Sequence, residues 1–158
     1  MISARFAAMA KLSVGVITHA EGAHLGAYFE ALAQCEEVSD VVLSDPGGKS
    51  FVAARRALGD KLAAVYENRD AMLNEAAPDM ALVSMEALKA PPAIDAALDA
   101  GCHVMAEKPA CVRAEDFEPL VRKAESRKLN LMLALANRVT PAVQEAQRII
   151  AAGKLGKI

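Results

Sequence analysis

This sequence of 158 residues has no tryptophan, few aromatic residues and only three cysteines. Cys35, Cys102 and Cys111 form no C-x-x-C pair, and an odd number of cysteines cannot complete a disulfide framework. No apolar run approaches the roughly 20 residues that a membrane-spanning helix needs. The net charge of −2 argues against nucleic acid or an anionic membrane as the main partner. These absences favour reduced thiols in a cytoplasmic protein.

Targeting and metal-binding signals are also missing. Residues 1–11 carry Arg5 and Lys11 around an alanine-rich stretch, without the apolar core and cleavage site of a secretory signal. We interpret them as a short lead-in to the first strand, with an amphipathic targeting helix as the alternative. The histidines and acids show no metal-ligand spacing such as H-E-x-x-H, so no metal site is predicted.

What the sequence does contain is a regular alternation of strand and helix patterns. Apolar runs predict six strands, at residues 12–17, 41–43, 62–66, 80–83, 104–105 and 129–135. Strands this apolar are usually covered on both faces, which favours a parallel sheet between two layers of helices. Right-handed crossovers then give a doubly wound α/β domain of Rossmann type over residues 12–158.

Helical spacing of apolar residues fills the intervals between these strands. It predicts helices near Leu25, over residues 51–58 and 69–76, and around Ile94. A stripe from Phe117 to Ala124 predicts another, and Pro119 inside it predicts a late start or a kink. The last helix is predicted to have Thr140 as its cap, Pro141 at its first position and Gly153 at its end.

The most informative segment is residues 101–109, an apolar run that ends in Glu107, Lys108 and Pro109. The residue before a proline avoids the helical region, so Lys108 is predicted to lie on extended or turning backbone at a strand's end. In an open α/β sheet the carboxyl ends of the strands are where ligands bind. A surface ion pair between Glu107 and Lys108 is the alternative interpretation, and such a pair contributes little to stability.

This segment resembles the Glu-Lys-Pro signature of the Gfo/Idh/MocA oxidoreductases, the glucose–fructose oxidoreductase and inositol dehydrogenase family. The preceding Ala-Leu-Asp-Ala-Gly-Cys-His-Val, the later Asn-Arg-Val-Thr-Pro at residues 137–141 and the final Gly-Lys-Leu-Gly-Lys-Ile are similar to that family's pattern. The resemblance covers about residues 12–158. It implies the NAD(P)-binding domain of a dehydrogenase that acts on a sugar, a polyol or a related hydroxy compound, in a possible homo-oligomer.

The resemblance also implies roles for particular residues. Lys108 is expected near the reacting oxygen during hydride transfer between the nicotinamide and a carbinol carbon. Glu107 is expected near the cofactor ribose, and Asn137 and Arg138 near the nicotinamide and the substrate. After the fourth strand Ser84 keeps the family's hydroxyl beside Met85, and both are candidate cofactor contacts, although the family's usual Pro-Asn and histidine are absent there.

The turn after the first strand departs from the G-x-G-x-x-G fingerprint of dinucleotide-binding domains. Thr18, Ala20 and Ala23 occupy the three glycine positions, so close approach of a pyrophosphate stays possible although their Cβ atoms disfavour positive φ. Glu21 places a carboxylate nearby, which opposes pyrophosphate binding unless its side chain points away. Thr18, His19 and Ala20 are the candidate cofactor contacts. His19 and His24 are candidates for phosphate or substrate contact, with capping or surface positions as the alternative.

Asp45 follows the second strand, roughly 20 residues after the glycine turn, where a carboxylate can accept both hydroxyls of the adenosine ribose. That position favours NAD over NADP, because a carboxylate repels a 2′-phosphate. An acid before Pro-Gly is also a common turn residue. Lys49, Arg55 and Arg56 follow closely, and they leave NADP possible.

Three interpretations of function stay open. The first is the nucleotide-binding half of an NAD(P)-dependent oxidoreductase. The second is a non-catalytic nucleotide-binding or interaction module with a degenerate glycine loop, and the third is a branch that uses NAD transiently for non-redox chemistry. Members of the family run to roughly twice this length, so we expect a truncated chain, a fragment or a natural half-protein. Such a chain would lack the substrate domain that completes the reaction.

Overall fold

Each apolar run forms a strand, and the six strands pair in parallel into one sheet. The computed structural model describes residues 11–20 and 22–157, so most of the predicted lead-in, Glu21 and Ile158 lie outside the described residues. The strands are β1 (Leu12–Thr18), β2 (Val38–Ser44), β3 (Leu62–Tyr66), β4 (Met80–Ser84), β5 (His103–Ala106) and β6 (Leu131–Leu133). Their order across the sheet is β3-β2-β1-β4-β5-β6. The predicted doubly wound Rossmann-type fold is confirmed.

Helices follow the strands and return the chain to the start of the next one. Asn68 caps the third helix, because its side-chain oxygen accepts the N–H of Ala71 at 2.9 Å. Prolines occupy the first turns of the fourth and sixth helices, where a missing N–H costs nothing. The helices are α1 (Leu25–Gln34), α2 (Phe51–Leu58), α3 (Arg69–Ala76), α4 (Ala90–Asp99), α5 (Ala114–Arg127) and α6 (Pro141–Ala151).

The sheet is buried on both faces, as its near-continuous apolar strands require. Val16 and Ile17 are adjacent on β1 and point to opposite faces, yet both are buried. One face packs against α1 and α2 through Phe29 and Leu58. The other packs against α3, α4 and α5, with Ile94 at its centre. These two cores fix the positions of the loops at the strand ends.

The end of the chain departs most from the sequence-based prediction. The strand predicted over residues 129–135 is shorter, because Leu135 leaves the extended conformation (φ −100°, ψ 65°) and residues 136–139 form a 3-10 helix. Thr140 stands at the cap position of α6, but its hydroxyl donates to the Asn137 carbonyl instead of capping the helix. Gly153 has a positive φ of 67° just beyond α6, as its predicted place at the helix end requires.

The late start predicted from Pro119 is wrong. Helix α5 begins at Ala114, so Pro119 lies inside it. The proline is exposed, and its ring therefore meets solvent instead of a neighbouring element.

All three cysteines are unpaired. Within the described part of the chain, no helix is both long and apolar enough to cross a bilayer.

Candidate functional site

The crevice at the carboxyl edge of the sheet lies between β1 and β4. Thr18 is paired with Ser84 at the ends of these neighbouring strands. The sheet order reverses here, because β2 and β3 lie on one side of β1 and β5 and β6 lie beyond β4. Such a switch point leaves a gap between loops that run in opposite directions, and open α/β sheets bind their ligands there.

Thr18 and Ser84 join the two sides of this crevice through buried hydroxyl groups. The Thr18 hydroxyl donates to the Ser84 carbonyl at 2.9 Å, and the Ser84 hydroxyl donates to the Ala23 carbonyl at 2.7 Å. Both residues are fully buried. The two predicted contact residues therefore lie at the crevice. Their hydroxyl groups donate their protons to backbone carbonyls of the protein.

Gly22 is a site residue that sequence reasoning missed. A Cβ atom added at this position would lie 2.0 Å from the Thr18 Oγ1 and 2.8 Å from the Ser84 carbonyl oxygen. Only glycine fits so close an approach, so the turn after β1 keeps a steric requirement for glycine at a position outside the fingerprint alignment. Ala20 and Ala23, at two of the aligned positions, are exposed. A glycine just past the end of an apolar strand was the signal that could have identified it.

The N-terminus of α1 opens onto the same turn. His24 stands at its cap position in the left-handed conformation (φ 59°), and its imidazole does not cap the helix. First-turn N–H groups of a helix have no intrahelical acceptor, and together with the helix dipole they favour an anion. The N-terminus of α1 therefore favours negative charge at this turn.

His19 connects the turns after β1 and β4. Its Nε2 accepts the backbone N–H of Glu86 at 3.4 Å, and it lies 3.9 Å from a Glu86 carboxylate oxygen. Glu86 follows Met85, whose side chain is partly buried. His19 thus lies at the crevice, and its contact with a phosphate or a substrate stays a prediction.

A cavity of about 330 Å³ lies beside this turn. Ser44 is one of the lining residues, and its hydroxyl is the one buried side-chain polar atom among the described residues that lacks a hydrogen-bond partner. An apolar pocket with a few converging polar groups is typical of a small-molecule site. The lining residues are Ile17, Thr18, Ser44, Pro46, Glu67, Asn68, Arg69, Asp70 and Met85.

Asp45 lies next to this cavity but is fully buried in its own loop. One carboxylate oxygen accepts the N–H of Gly47 at 3.1 Å, and the other accepts the N–H and the hydroxyl of Ser50 at 2.9 and 2.7 Å. Burial alone would raise the pKa of Asp45, but these hydrogen bonds outweigh it and hold the pKa below its ordinary value. The arrangement supports the interpretation of Asp45 as a turn residue, and its contact with a ribose stays a prediction.

The Glu-Lys-Pro segment follows β5 at the same edge of the sheet. Ala106 is paired with Val83, so Glu107 is level with the end of β4, and its N–H donates to the Val83 carbonyl at 2.8 Å. The Lys108 side chain is exposed, and the Lys108–Pro109 peptide bond is cis. Lys108 therefore lies where the sequence predicted it, at the carboxyl end of a strand beside the crevice.

Glu107 is only 4% exposed, and its carboxylate is held from two directions. One oxygen accepts the hydroxyl of Tyr28 from α1, and the other accepts the backbone N–H of Lys108 at 2.9 Å. Burial first, and then the hydrogen bond to Glu107 and its charge, raise the pKa of Tyr28. The burial of Glu107 counts against the alternative of a surface ion pair between Glu107 and Lys108.

Asn137 and Arg138 lie further along the same edge. They belong to the 3-10 helix (Ala136–Val139) that follows β6, and both are exposed. The segment is anchored beside β5, because the N–H of Ala134 donates to the Ala106 carbonyl at 2.8 Å. Their proximity to a nicotinamide or a substrate stays a prediction. Across the described residues, no three His, Cys, Asp or Glu side chains come together as a metal ion would need.

Comparison with known proteins agrees with this arrangement. Residues 13–135 match the Gfo/Idh/MocA family model, which is described as an oxidoreductase family with an NAD-binding Rossmann fold. This match confirms the predicted family resemblance and NAD as the cofactor of the domain. An uncharacterised oxidoreductase of Schizosaccharomyces pombe is 32% identical over 94 residues, which is 60% of this chain and 26% of that protein.

Solved structures share the fold. Scyllo-inositol dehydrogenase from Lactobacillus casei, with bound NAD(H) and scyllo-inositol, superposes with a TM-score of 0.80 at 22% identity over 94% of this chain. The WlbA dehydrogenase from Bordetella pertussis, in complex with NADH and UDP-GlcNAcA, gives 0.82 at 23% identity over 94% of this chain. UDP-N-acetylglucosamine 3-dehydrogenase from Acidithiobacillus ferrooxidans gives 0.70 at 25% identity over 89% of this chain. The chain spans 43% of the length of each of the three.

Proposed function

Because this chain belongs to the Gfo/Idh/MocA family of oxidoreductases, we propose that residues 12–158 are the cofactor-binding half of a cytoplasmic NAD-dependent dehydrogenase. Its substrate is proposed to be a sugar, a polyol or a related hydroxy compound, in keeping with the inositol and UDP-sugar dehydrogenases that share the fold. One observation carries the proposal. The Glu107-Lys108-Pro109 segment lies at the carboxyl edge of the sheet, next to the β1–β4 switch point.

The residues at the crevice fit a dinucleotide. The cavity of about 330 Å³ that Ser44 and Pro46 line would hold the adenosine half. The turn of Thr18, His19 and Ala20 and the N-terminus of α1 would hold the diphosphate, where helix N–H groups favour negative charge. Gly22 allows this turn to pack closely against β1 and β4.

The chemistry proposed for the site is oxidation of a secondary alcohol and its reverse. Bound NAD⁺ would supply the site with a hydride acceptor for the oxidation, and NADH would supply the hydride for the reverse reaction. Lys108 would take the hydroxyl proton on its Nζ during oxidation and return it during reduction, as a general base and acid. Glu107 would hold the backbone of Lys108 in place, and Asn137 and Arg138 would line the substrate side.

Titration calorimetry with NAD⁺ and NADH tests the proposal directly. Micromolar binding of either form supports a cofactor-binding half, and weaker binding of NADP⁺ supports a role for Asp45. Millimolar or absent binding of all forms would leave the second candidate, a non-catalytic interaction module. That candidate is favoured by one observation, that the Thr18, Ser84 and Asp45 side chains are all engaged within the protein.

Replacing the proposed proton carrier separates binding from chemistry. In the complete protein that carries residues 12–158, Lys108→Ala is expected to abolish NADH formation with inositols or hexoses, while the NAD⁺ affinity measured by calorimetry stays within about twofold, because the Lys108 amine acts on the substrate and not on the cofactor. Lys128→Ala, which removes a lysine at the end of α5, is the matched control and should change neither quantity. Undiminished turnover in Lys108→Ala would contradict a catalytic role for Lys108.

A further inference from the structure

Tyr28 connects two parts of the candidate site that are far apart in sequence. It lies in the first turn of α1, close to the turn that would hold the diphosphate. Its hydroxyl donates to Glu107, 79 positions further along the chain. The aromatic ring is half-buried, and burial and the Glu107 carboxylate raise the pKa of Tyr28, so the hydroxyl keeps its proton and remains a donor.

The bonds around Glu107 form a continuous connection from α1 to Lys108. Tyr28 holds one oxygen of the carboxylate, and the other oxygen holds the backbone N–H of Lys108 at 2.9 Å. The backbone N–H of Glu107 is fixed to the Val83 carbonyl on β4 at 2.8 Å. Among the described residues, Tyr28 is the side chain outside this segment that hydrogen-bonds to the Glu107 carboxylate, and losing its hydroxyl would leave one of the two carboxylate oxygens without that restraint.

We propose that Tyr28 is a positioning residue for the dehydrogenase site, fixing Glu107 and through it the backbone of Lys108 relative to the nucleotide turn. The inference rests on the proposed function, since Lys108 matters only if the site handles a proton. It adds a link that the Glu-Lys-Pro signature does not contain. Helix α1 starts at the nucleotide turn, so the Tyr28 hydroxyl would fix the position of the Lys108 segment relative to that turn.

The test uses Tyr28→Phe, which removes the hydroxyl and keeps the ring. Tyr66→Phe, at the end of β3, removes the other tyrosine hydroxyl of the chain and is the matched control. All lysines are reductively methylated with isotopically labelled formaldehyde, and the Lys108 signal in the NMR spectrum is assigned by its loss in Lys108→Arg. Circular dichroism confirms that each variant is folded.

In Tyr28→Phe, we expect the Lys108 signal to shift or broaden without any ligand, while the Kd for NAD⁺ stays within about twofold of the wild-type value, because Tyr28 acts on Lys108 and not on the cofactor. Tyr66→Phe should match the wild-type protein in both. A Lys108 signal in Tyr28→Phe equal to that of the wild type would overturn the proposal.

A second variant keeps the test decisive if Tyr28→Phe fails to fold. Glu107→Gln weakens the same link from its other end, and we expect it to change the Lys108 signal in the same direction. An unchanged Lys108 signal in Glu107→Gln would overturn the link. If the wild-type protein does not bind NAD⁺, the proposed function fails, whereas the ligand-free Lys108 signal still decides whether Tyr28 positions Lys108.

Discussion

At the scale of single residues, the turn after β1 shows how a departure from a familiar motif is accommodated. Thr18 carries a side chain where the dinucleotide fingerprint has its first glycine, and the Thr18 hydroxyl bridges to the end of β4. The space for that hydroxyl exists because Gly22 has no Cβ. Gly22, four positions after Thr18, supplies the glycine that close packing of this turn requires.

Gly22→Ala tests this account of the turn. Its methyl group would lie 2.0 Å from the Thr18 Oγ1 and 2.8 Å from the Ser84 carbonyl oxygen, so the turn must move. We expect a loss of about 1–3 kcal/mol in the free energy of unfolding, measured by urea denaturation, together with weaker NAD⁺ binding. Gly26→Ala is the matched control, because no atom lies within 4 Å of its added Cβ and alanine favours a helix. Equal stability of the two variants would contradict the steric argument.

Asp45 makes a second prediction at this scale, on the pH dependence of stability. Its pKa in the folded protein is below the ordinary value, so the unfolded chain binds its proton more readily. The stabilisation is therefore complete above the ordinary aspartate pKa of about 3.9, and it is lost as the pH falls through the lower pKa of the folded protein.

Asp45→Asn should lose about 1–3 kcal/mol of stability at neutral pH, because an amide cannot accept all three hydrogen bonds. Its urea midpoint should also fall less than that of the wild type when the pH is lowered from neutral to about 3, because the group no longer titrates. Asp60→Asn, which changes an exposed acid, controls for the loss of one charge. Parallel pH profiles for Asp45→Asn and the wild type would exclude this contribution.

Site residues were predictable where a local pattern marks them. An apolar run that stops at a proline predicts the place of Lys108, the fingerprint alignment gives Thr18, and the family resemblance gives Ser84. Their contacts with a cofactor or substrate stay predictions. Tyr28 falls at helical spacing from Leu25, and nothing nearby in the sequence indicates a partner 79 positions away. Asp45 was placed correctly after β2, but sequence alone left a ribose contact and a turn-capping role open, and three hydrogen bonds within the loop favour the latter.

At the scale of elements, predictions succeeded where apolar periodicity is bounded by clear signals. Helix α3 has the predicted bounds, Arg69–Ala76, with Asn68 capping its start. The predicted bounds of the last strand were wrong, since residues 131–135 are all apolar and the pattern gives no sign that the extended backbone ends after Leu133. The strand is followed by a 3-10 helix, and the chain before that helix is anchored to β5 by the hydrogen bond from the Ala134 N–H to the Ala106 carbonyl. This contact joins residues that are distant in sequence, so a local pattern does not reveal it.

Helix α5 offers a test of its internal proline. Pro119 cannot donate a backbone hydrogen bond, and its side chain is exposed, so little packing is lost when it is replaced. We expect Pro119→Ala to raise the free energy of unfolding by about 1–3 kcal/mol, since proline inside a helix costs up to about 3 kcal/mol and its stiffening of the unfolded chain offsets part of that cost.

Thermal and urea unfolding of the two proteins measure the difference. Glu118→Ala, one position earlier on the exposed face of the same helix, is the control for removing a side chain there. A lower stability for Pro119→Ala than for the wild type would mean that the proline ring contributes to packing.

At the scale of the whole molecule, the fold was predictable because its strands are apolar on both faces. A parallel sheet covered by helices on each side buries adjacent residues such as Val16 and Ile17 at once. Right-handed crossovers allow more than one strand order, so the order β3-β2-β1-β4-β5-β6 was not predictable from the sequence pattern. The substrate was not predictable, since the chain spans 43% of the length of the dehydrogenases that share its fold.

A ligand that binds only the folded molecule stabilises all of it. At a free NAD⁺ concentration about 100 times its Kd, the stabilisation is about 2.7 kcal/mol, which corresponds to a rise in Tm of about 5–10 °C for a domain of this size. Differential scanning fluorimetry measures it. ADP-ribose should reproduce most of the shift if the cavity and the turn hold the adenosine diphosphate half. A Tm independent of every nucleotide would exclude dinucleotide binding by the folded chain.

The contact between Thr18 and Gly22 has a consequence for the history of the sequence. The two positions share one small volume, so a bulkier residue at either demands a smaller one at the other. Among relatives of this chain, we expect the two positions to change together. Glycine at position 18 should accompany larger residues at position 22, whereas this chain has the larger residue at position 18 and glycine at position 22. The conserved quantity would then be the combined side-chain volume at the two positions, which a comparison of each position by itself does not detect.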